Sequence, residues 1–341
     1  MTQQPEVAAV LGGGSFGTAI ASILVQNGHQ VRLWVRDPET AAVINNEREN
    51  PRYLPGTELP EGMQASEDLI ECLTGATMVF MAVPSKAFME VLDQARDHIP
   101  EGTLAISCTK GIHADGFLLM SQLLQREWPH TRVGVLSGPN LAREIAERKF
   151  TGTVIASADA ELCKRVQDAL SCDYFRVYDS SDMFGVELGG ALKNIYAIAT
   201  GMAAAVGVGD NTHGLLITRS LAEMSRFAVQ MGASPLTFLG LAGVGDLIVT
   251  ASSSLSRNYR VGYQIGQGKS LDEAVAALGQ TAEGVNTVRL VAERARQQGI
   301  YMPLATGLYA ILFEGQPLEQ VIAGLMRGEH NHDVEFTMGG D

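Results

Sequence analysis

Gly12-Gly13-Gly14-Ser15-Phe16-Gly17 decides the fold. This stretch follows the apolar run Val7–Leu11 and leads into Thr18-Ala19-Ile20-Ala21, the opening of a helical pattern over 15–27. It therefore spells GxGxxG in the strand–turn–helix setting that the motif requires. Gly12 permits the tight turn, Gly14 lets the backbone approach a pyrophosphate, and Gly17 lets helix and strand pack closely. The unpaired N–H groups of the helix start then face the anion. A bound dinucleotide is the expectation.

Outward from this loop the pattern repeats. Apolar, partly β-branched runs at 31–35, 78–83, 103–107, 132–136 and 153–157 read as further strands, with helical patterns at 85–98, 117–127 and 159–171 between them. Continuous apolar runs rather than strict alternation imply strands covered on both faces, hence a mainly parallel sheet flanked by helices. Near residue 180 the character changes. Helical periodicity takes over at 183–206, 214–231, 272–277, 287–298 and 317–326. The expectation is an α/β Rossmann-type domain over 1–180 followed by an all-α domain over 181–341.

Composition narrows the partners. The chain has 341 residues with 38 acidic and 25 basic side chains, a formal net charge of −13. Such a chain has no overall attraction to nucleic acid or anionic lipid, so any anion it binds is caught by local donors. Cys72, Cys108, Cys163 and Cys172 form no CxxC pair, which speaks against thiolate zinc sites and a disulfide framework. The first residues lack the pattern of a secretory signal, and no stretch reaches the ~20 apolar residues of a membrane span. A cytoplasmic protein acting on a small molecule, without a metal, is expected. His330, His332 and Asp333 in the polar tail read as solvated rather than metal-binding.

The second strand ends Trp34-Val35-Arg36-Asp37. An acid at this point would accept the adenosine ribose hydroxyls of NAD, whereas a guanidinium would pair with the 2′-phosphate of NADP. Arg36 comes first, which favours NADP(H) with NAD(H) tolerated.

Ligands of such sheets lie beyond the carboxyl ends of the strands. Two loops there carry polar groups: Ser107-Cys108-Thr109-Lys110-Gly111 and Leu136-Ser137-Gly138-Pro139-Asn140. Lys110, Gly138 and Asn140 are candidates for binding. Lys193 is one of only six lysines, on a helical face of small and apolar residues with no acid three or four positions away. Desolvation there would lower its pKa and suit it to general acid–base work. Asp246, in the apolar stretch Gly243-Val244-Gly245-Asp246-Leu247, needs a partner that a lysine could provide. Ser256-Arg257-Asn258 joins an N-cap serine, a guanidinium and an amide at a helix start, a combination able to hold a terminal phosphate.

In order along the chain, GGGSFGTAIA (12–21), AVPS (82–85), SCTKGI (107–112), SGPNLA (137–142), ELGGALKNIYAIATG (187–201), GLAGVGDLIVT (240–250), LSRNYRVG (255–262) and AEGVNT (282–287) resemble the bacterial NAD(P)-dependent glycerol-3-phosphate dehydrogenases. The resemblance implies reversible hydride transfer between NAD(P)H and dihydroxyacetone phosphate, with sn-glycerol 3-phosphate supplied to phospholipid synthesis. It implies Lys193 as proton donor and acceptor, with Lys110, Gly138, Asn140, Lys193, Asp246, Ser256, Arg257 and Asn258 lining the substrate. It also implies Ser15, Phe16, Arg36, Lys110, Ala142, Arg257 and Glu283 as cofactor contacts. Two positions depart from the family: Asn140 stands where serine is usual, and Val35 replaces a common glycine. A homodimer is a further expectation. The competing readings are a β-hydroxy-acid or ketopantoate-type dehydrogenase of the same plan, and a non-catalytic NAD(P)H sensor.

Overall fold

A computed structural model describes residues 5–278 and 282–327. The chain divides into two compact units, one ending at Glu187 and the other beginning at Leu188. The strands of the first are β1 (Val7–Leu11), β2 (Gln30–Trp34), β3 (Met63–Ser66), β4 (Met78–Met81), β5 (Leu104–Ser107), β6 (Ile112–His113), β7 (Leu118–Leu119), β8 (Arg132–Ser137), β9 (Thr151–Ala156) and β10 (Phe175–Ser180). Apart from the β6–β7 pair they form one sheet in the order β10-β9-β8-β5-β4-β1-β2-β3. Neighbours run parallel except β8 and β9, which are antiparallel. This is a Rossmann-type sheet, mostly parallel, as the glycine loop and alternating pattern require.

Helices α1 (Ser15–Gln26), α2 (Pro38–Glu47), α3 (Leu69–Leu73), α4 (Ser85–Ala95), α5 (Met120–Glu127), α6 (Ala142–Ala146) and α7 (Ala160–Leu170) connect the strands. Every residue of β4 and β5 is buried, which explains their unbroken apolar character. One face of the sheet is covered by Ile20 and Leu24 of α1 and Val166 and Leu170 of α7. The other is covered by Phe88 and Leu92 of α4 and Leu123 of α5. These residues recur at helical spacing, one apolar stripe per helix.

The second unit is helical: the continuation of α8 (Met183–Ala205), then α9 (Asp210–Gln230), α10 (Asp246–Ser252), α11 (Arg257–Gly266), α12 (Leu271–Ala276), α13 (Glu283–Gln298), α14 (Pro303–Glu314) and α15 (Leu318–Met326). α8 and α11 meet backbone to backbone. A Cβ on Gly262 would stand 1.9 Å from the Ile198 carbonyl oxygen. No helix among the described residues is long and apolar enough to cross a membrane.

Several elements differ from the sequence expectation. β3 and β10 were not anticipated; β10 buries only Phe175 and Val177 among alternating polar residues, because it is an edge strand covered on one face. Asp246 lies not in a loop but at the first position of α10. Helices α2 and α14 carry no clean apolar stripe in the sequence. The change of character expected near 180 precedes α8, and the first unit extends to Glu187, whose carboxylate is bonded back to Ser121. His330, His332 and Asp333 lie outside the described residues.

Candidate active site

The glycine loop at the end of β1 fits a pyrophosphate. Gly12 sits at φ 117°, and a Cβ there would lie 2.7 Å from the Ala82 carbonyl oxygen. A Cβ on Gly17 would come within 2.0 Å of the Gly12 carbonyl oxygen, so helix and turn pack with no room for a side chain. At Gly14 the reverse holds: a Cβ would meet nothing within 4 Å. That open space faces a helix start whose N-cap is Gly14 and which no side chain caps. The first-turn N–H groups of α1 thus have neither intrahelical nor capping partners, the condition for binding a phosphate. Ser15 and Phe16 open this helix, with the Ser15 hydroxyl donating to the Tyr53 carbonyl oxygen at 2.8 Å. Asn50, fully buried, donates to the Gly13 carbonyl at 2.9 Å and to Thr18 Oγ1 at 2.9 Å. The brace from Asn50 and Tyr53 had no signal in the sequence, since it comes from an irregular turn distant along the chain.

Beyond β2, Arg36 is exposed and Asp37 caps α2. Asp37 accepts from the Thr40 hydroxyl at 2.6 Å and the Glu39 N–H at 3.3 Å. These bonds, the Thr40 one foremost, hold its carboxyl below the ordinary range. The acid that could have received ribose hydroxyls is thereby engaged, and the guanidinium is left at the strand tip.

At the ends of β5 and β8 the first unit gathers three of the expected residues. Lys110 Nζ donates to the Gly138 carbonyl at 2.8 Å. Gly138 takes φ 148°, a conformation side chains disfavour, with Thr153 directly beside it. Asn140 donates to Thr153 Oγ1 at 3.0 Å, while its Oδ1 and the nearby Ser137 hydroxyl are buried and have no hydrogen-bond partner among the described residues. Buried polar atoms without partners are rare, and a ligand or an ordered water satisfies them. Ala142 follows as the first residue of α6.

In the second unit, α8 presents Lys193 to α10. Its side chain is 8% exposed and forms an ion pair with Asp246, itself 1% exposed. Nζ also donates to Thr250 Oγ1 at 2.6 Å, one turn further along α10. The lysine that Asp246 was expected to need is thus Lys193. Ser256 caps α11, its hydroxyl accepting from the Tyr259 N–H at 3.3 Å. Arg257 is exposed at the first position of that helix. Asn258 is used inside the unit: it donates to Asn194 Oδ1 at 2.8 Å and accepts from the Gly284 N–H at 3.0 Å. This joins α8, α11 and the first turn of α13, where Glu283 stands. Among the described residues no group of three His, Cys, Asp or Glu could hold a metal ion.

Two buried glutamates sit on the same framework. Glu187 on α8 accepts from the Ser121 N–H at 2.9 Å and from its hydroxyl, at the first turn of α5. Glu223 on α9 accepts from the Ala305 N–H at 3.1 Å, at the start of α14, and from the Tyr196 hydroxyl at 3.2 Å. Burial pushes each carboxyl up to about 7. A carboxyl raised above its unfolded value binds its proton more tightly in the folded chain. Its stabilising contribution is therefore present at acidic pH and is lost as pH rises through about 7. Glu187→Gln removes that slope. In urea unfolding, the stability of the native chain minus that of the variant should shrink by about 1–3 kcal/mol between pH of about 5 and about 8. A constant difference would mean that Glu187 ionises normally in the folded state.

The model of the family described as NAD-dependent glycerol-3-phosphate dehydrogenase N-terminus matches residues 7–163, and that of the corresponding C-terminus matches residues 182–323. The chain is 68% identical over 339 residues to glycerol-3-phosphate dehydrogenase [NAD(P)+] of Alcanivorax borkumensis, covering 99% of both chains. It is 60% identical over 336 residues to the protein of that name from Pseudomonas fluorescens, covering 98% of this chain and 94% of the relative. The crystal structure of glycerol-3-phosphate dehydrogenase from Coxiella burnetii superimposes with a TM-score of 0.90 at 37% identity, covering 95% of this chain and 99% of that one.

Proposed function

Because the chain belongs to the NAD-dependent glycerol-3-phosphate dehydrogenase family, we propose that it reversibly reduces dihydroxyacetone phosphate to sn-glycerol 3-phosphate with NADPH or NADH. The observation that carries this reading is the buried ion pair of Lys193 with Asp246, braced by Thr250. The reduced nicotinamide, when bound, supplies the hydride to the ketone carbon. The chain supplies charge and a proton. As negative charge gathers on the carbonyl oxygen, the Lys193 ammonium stabilises it and gives up a proton from Nζ. In the reverse direction the amine takes the alcohol proton. Asp246 and Thr250 hold Nζ in place, so little ordering remains to be done at the moment of transfer.

The first unit is assigned the dinucleotide, through Gly12, Gly14 and Gly17 with Ser15, Phe16, Arg36, Lys110 and Ala142. Arg257 and Glu283 are the cofactor contacts assigned to the second. For the substrate, Lys110, Gly138 and Asn140 serve in the first unit, and Lys193, Asp246, Ser256, Arg257 and Asn258 in the second. The unsatisfied Asn140 Oδ1 supports the former set. The capped start of α11 supports the latter, since helix N–H groups beside a guanidinium suit a terminal phosphate. A β-hydroxy acid or ketopantoate-type substrate would leave this anion site without use, and a sensor would need no buried ion pair. The product would serve phospholipid synthesis. The setting is a reducing cytoplasm, compatible with the four free cysteines, and the assembly a homodimer.

The test is oxidation of NADPH with dihydroxyacetone phosphate, repeated with NADH and with unphosphorylated dihydroxyacetone. Rapid oxidation that requires the phosphate is expected, and oxidation indifferent to it would refute the assignment of the anion site. Arg257→Ala should raise the KM for dihydroxyacetone phosphate by roughly 10- to 100-fold, the worth of a hydrogen bond to a charged group. An unchanged KM would remove Arg257 from the phosphate.

A further inference from the structure

The turn that braces the glycine loop carries a cation to which the reading above gives no task. Asn50 grips the Gly13 carbonyl, and the Tyr53 carbonyl receives the Ser15 hydroxyl. From the end of β2, Val35 packs against Gly13: its Cγ1 lies 2.2 Å from where a Cβ on that glycine would stand. The end of β2 and the turn at 50–53 therefore close on the same residues, Gly13 to Ser15. Arg36 follows Val35 directly, and Arg52 directly precedes Tyr53.

Both guanidiniums are exposed, and neither has a carboxylate within ion-pair distance among the described residues. Arg48, by contrast, is engaged by Glu58 at 2.5 Å and Glu61 at 2.9 Å. Arg52 is also held in place, its guanidinium carbon 5.3 Å from the centroid of the Tyr53 ring, a cation–π arrangement. Its charge reaches the end of β2: after the hydrogen bonds from Thr40 and Glu39, Arg52 is a further influence lowering the Asp37 carboxyl.

We propose that Arg52 is the second cation of the adenosine 2′-phosphate site, sharing with Arg36 the group that distinguishes NADPH from NADH. This deepens the reading of the glycine loop as a dinucleotide cradle and rests on it. A phosphate monoester carries close to two negative charges and three terminal oxygens. One guanidinium pairs with two of those oxygens in a fork, which leaves charge and an acceptor for another. Asp37 would repel such a group. Its carboxylate is instead directed to the start of α2, so two cations stand against one engaged acid. Stacking on Tyr53 restricts Arg52 before any ligand arrives, which lowers the ordering cost of the contact.

The experiment is equilibrium binding rather than turnover. NADPH and NADH are titrated by nicotinamide fluorescence, and 2′,5′-ADP and 5′-AMP by displacement, on the native chain, Arg52→Ala, Arg52→Lys and Arg36→Ala. Arg52→Ala should weaken NADPH and 2′,5′-ADP by roughly 10-fold or more, the scale of one charge-assisted hydrogen bond, with NADH and 5′-AMP unmoved. Arg52→Lys should recover part of the loss. Equal weakening of NADPH and NADH would make Arg52 a support of the turn and overturn the proposal, as would no change at all. A native chain that binds 2′,5′-ADP no better than 5′-AMP would also overturn it while leaving the cradle standing. A native chain that binds neither dinucleotide would instead overturn the cradle itself, and Arg52 with it.

Discussion

Lys193→Ala should lower kcat for reduction of dihydroxyacetone phosphate by roughly 10²–10⁴-fold, the usual worth of a positioned general acid, while NADPH still binds. The substitution has a second effect that must be separated from the first. Asp246 is 1% exposed and would lose its cation, and breaking a buried pair by removing one partner costs about 3–5 kcal/mol. A loss of rate could then reflect a loosened unit instead of a missing proton. The double variant Lys193→Met with Asp246→Asn resolves this, since it takes away both charges and keeps both volumes. It should recover most of the stability in urea unfolding and none of the turnover. Recovery of turnover with stability would show that Lys193 acts only as a strut. Retention of more than about a tenth of the native rate by Lys193→Ala would rule it out as the general acid, given the range expected for that role.

The second large effect is expected at the glycine loop, where two substitutions of the same size should behave differently. Gly17→Ala places a methyl 2.0 Å from the Gly12 carbonyl oxygen and 3.1 Å from the Ala82 Cβ. The neighbour is backbone at the end of a strand buried from Ala8 to Leu11, so α1 must move away from β1. Overpacking of this kind costs about 1–3 kcal/mol, and the displaced helix start should lose NADPH binding at the same time. Gly14→Ala places its methyl in open space at φ −73°, a conformation alanine accepts. Its folded stability should match that of the native chain. Its NADPH affinity should fall, because the methyl occupies the path by which a pyrophosphate reaches the N–H groups of α1. Thermal unfolding and NADPH fluorescence titration of both variants give the comparison. Equal NADPH affinity in Gly14→Ala and the native chain would mean that the anion lies elsewhere.

How much of this was legible in the sequence depends on the range of the interactions involved. The strands buried on both faces announced themselves, because burial leaves no choice but apolar residues: Met78–Met81 is an example. The edge strand Phe175–Ser180 did not, since only one of its faces is covered and the exposed Arg176, Tyr178 and Asp179 break up its apolar residues. Lys193 and Asp246 were identifiable singly, as charges set among small and apolar neighbours, and their pairing follows from the shortage of other partners. Asn50 and Tyr53 left no trace of that sort. They act on the glycine loop through contacts 35 or more positions away along the chain, Asn50 through its amide and Tyr53 through a backbone carbonyl, which sequence does not reveal. Glu187 stood in plain view within the lysine segment, yet its role depends on the start of α5, in the same unit and far back along the chain, which periodicity alone could not pair with it.

The reversal of β9 against β8 has one more consequence. In a sheet whose strands all run the same way, only their exits reach the ligand-facing rim, and their entrances are hidden on the far side. Here Ser137 pairs with Val154, so the entrance of β9 arrives where β8 departs. Thr153 uses that position: it gives a hydrogen bond to the Ser137 carbonyl at 3.1 Å and receives one from Asn140 at 3.0 Å. The rim is consequently floored by chain coming from both directions. The segment 151–153 thereby stands beside Gly138 and Asn140, at a rim where a purely parallel design would have placed only strand exits.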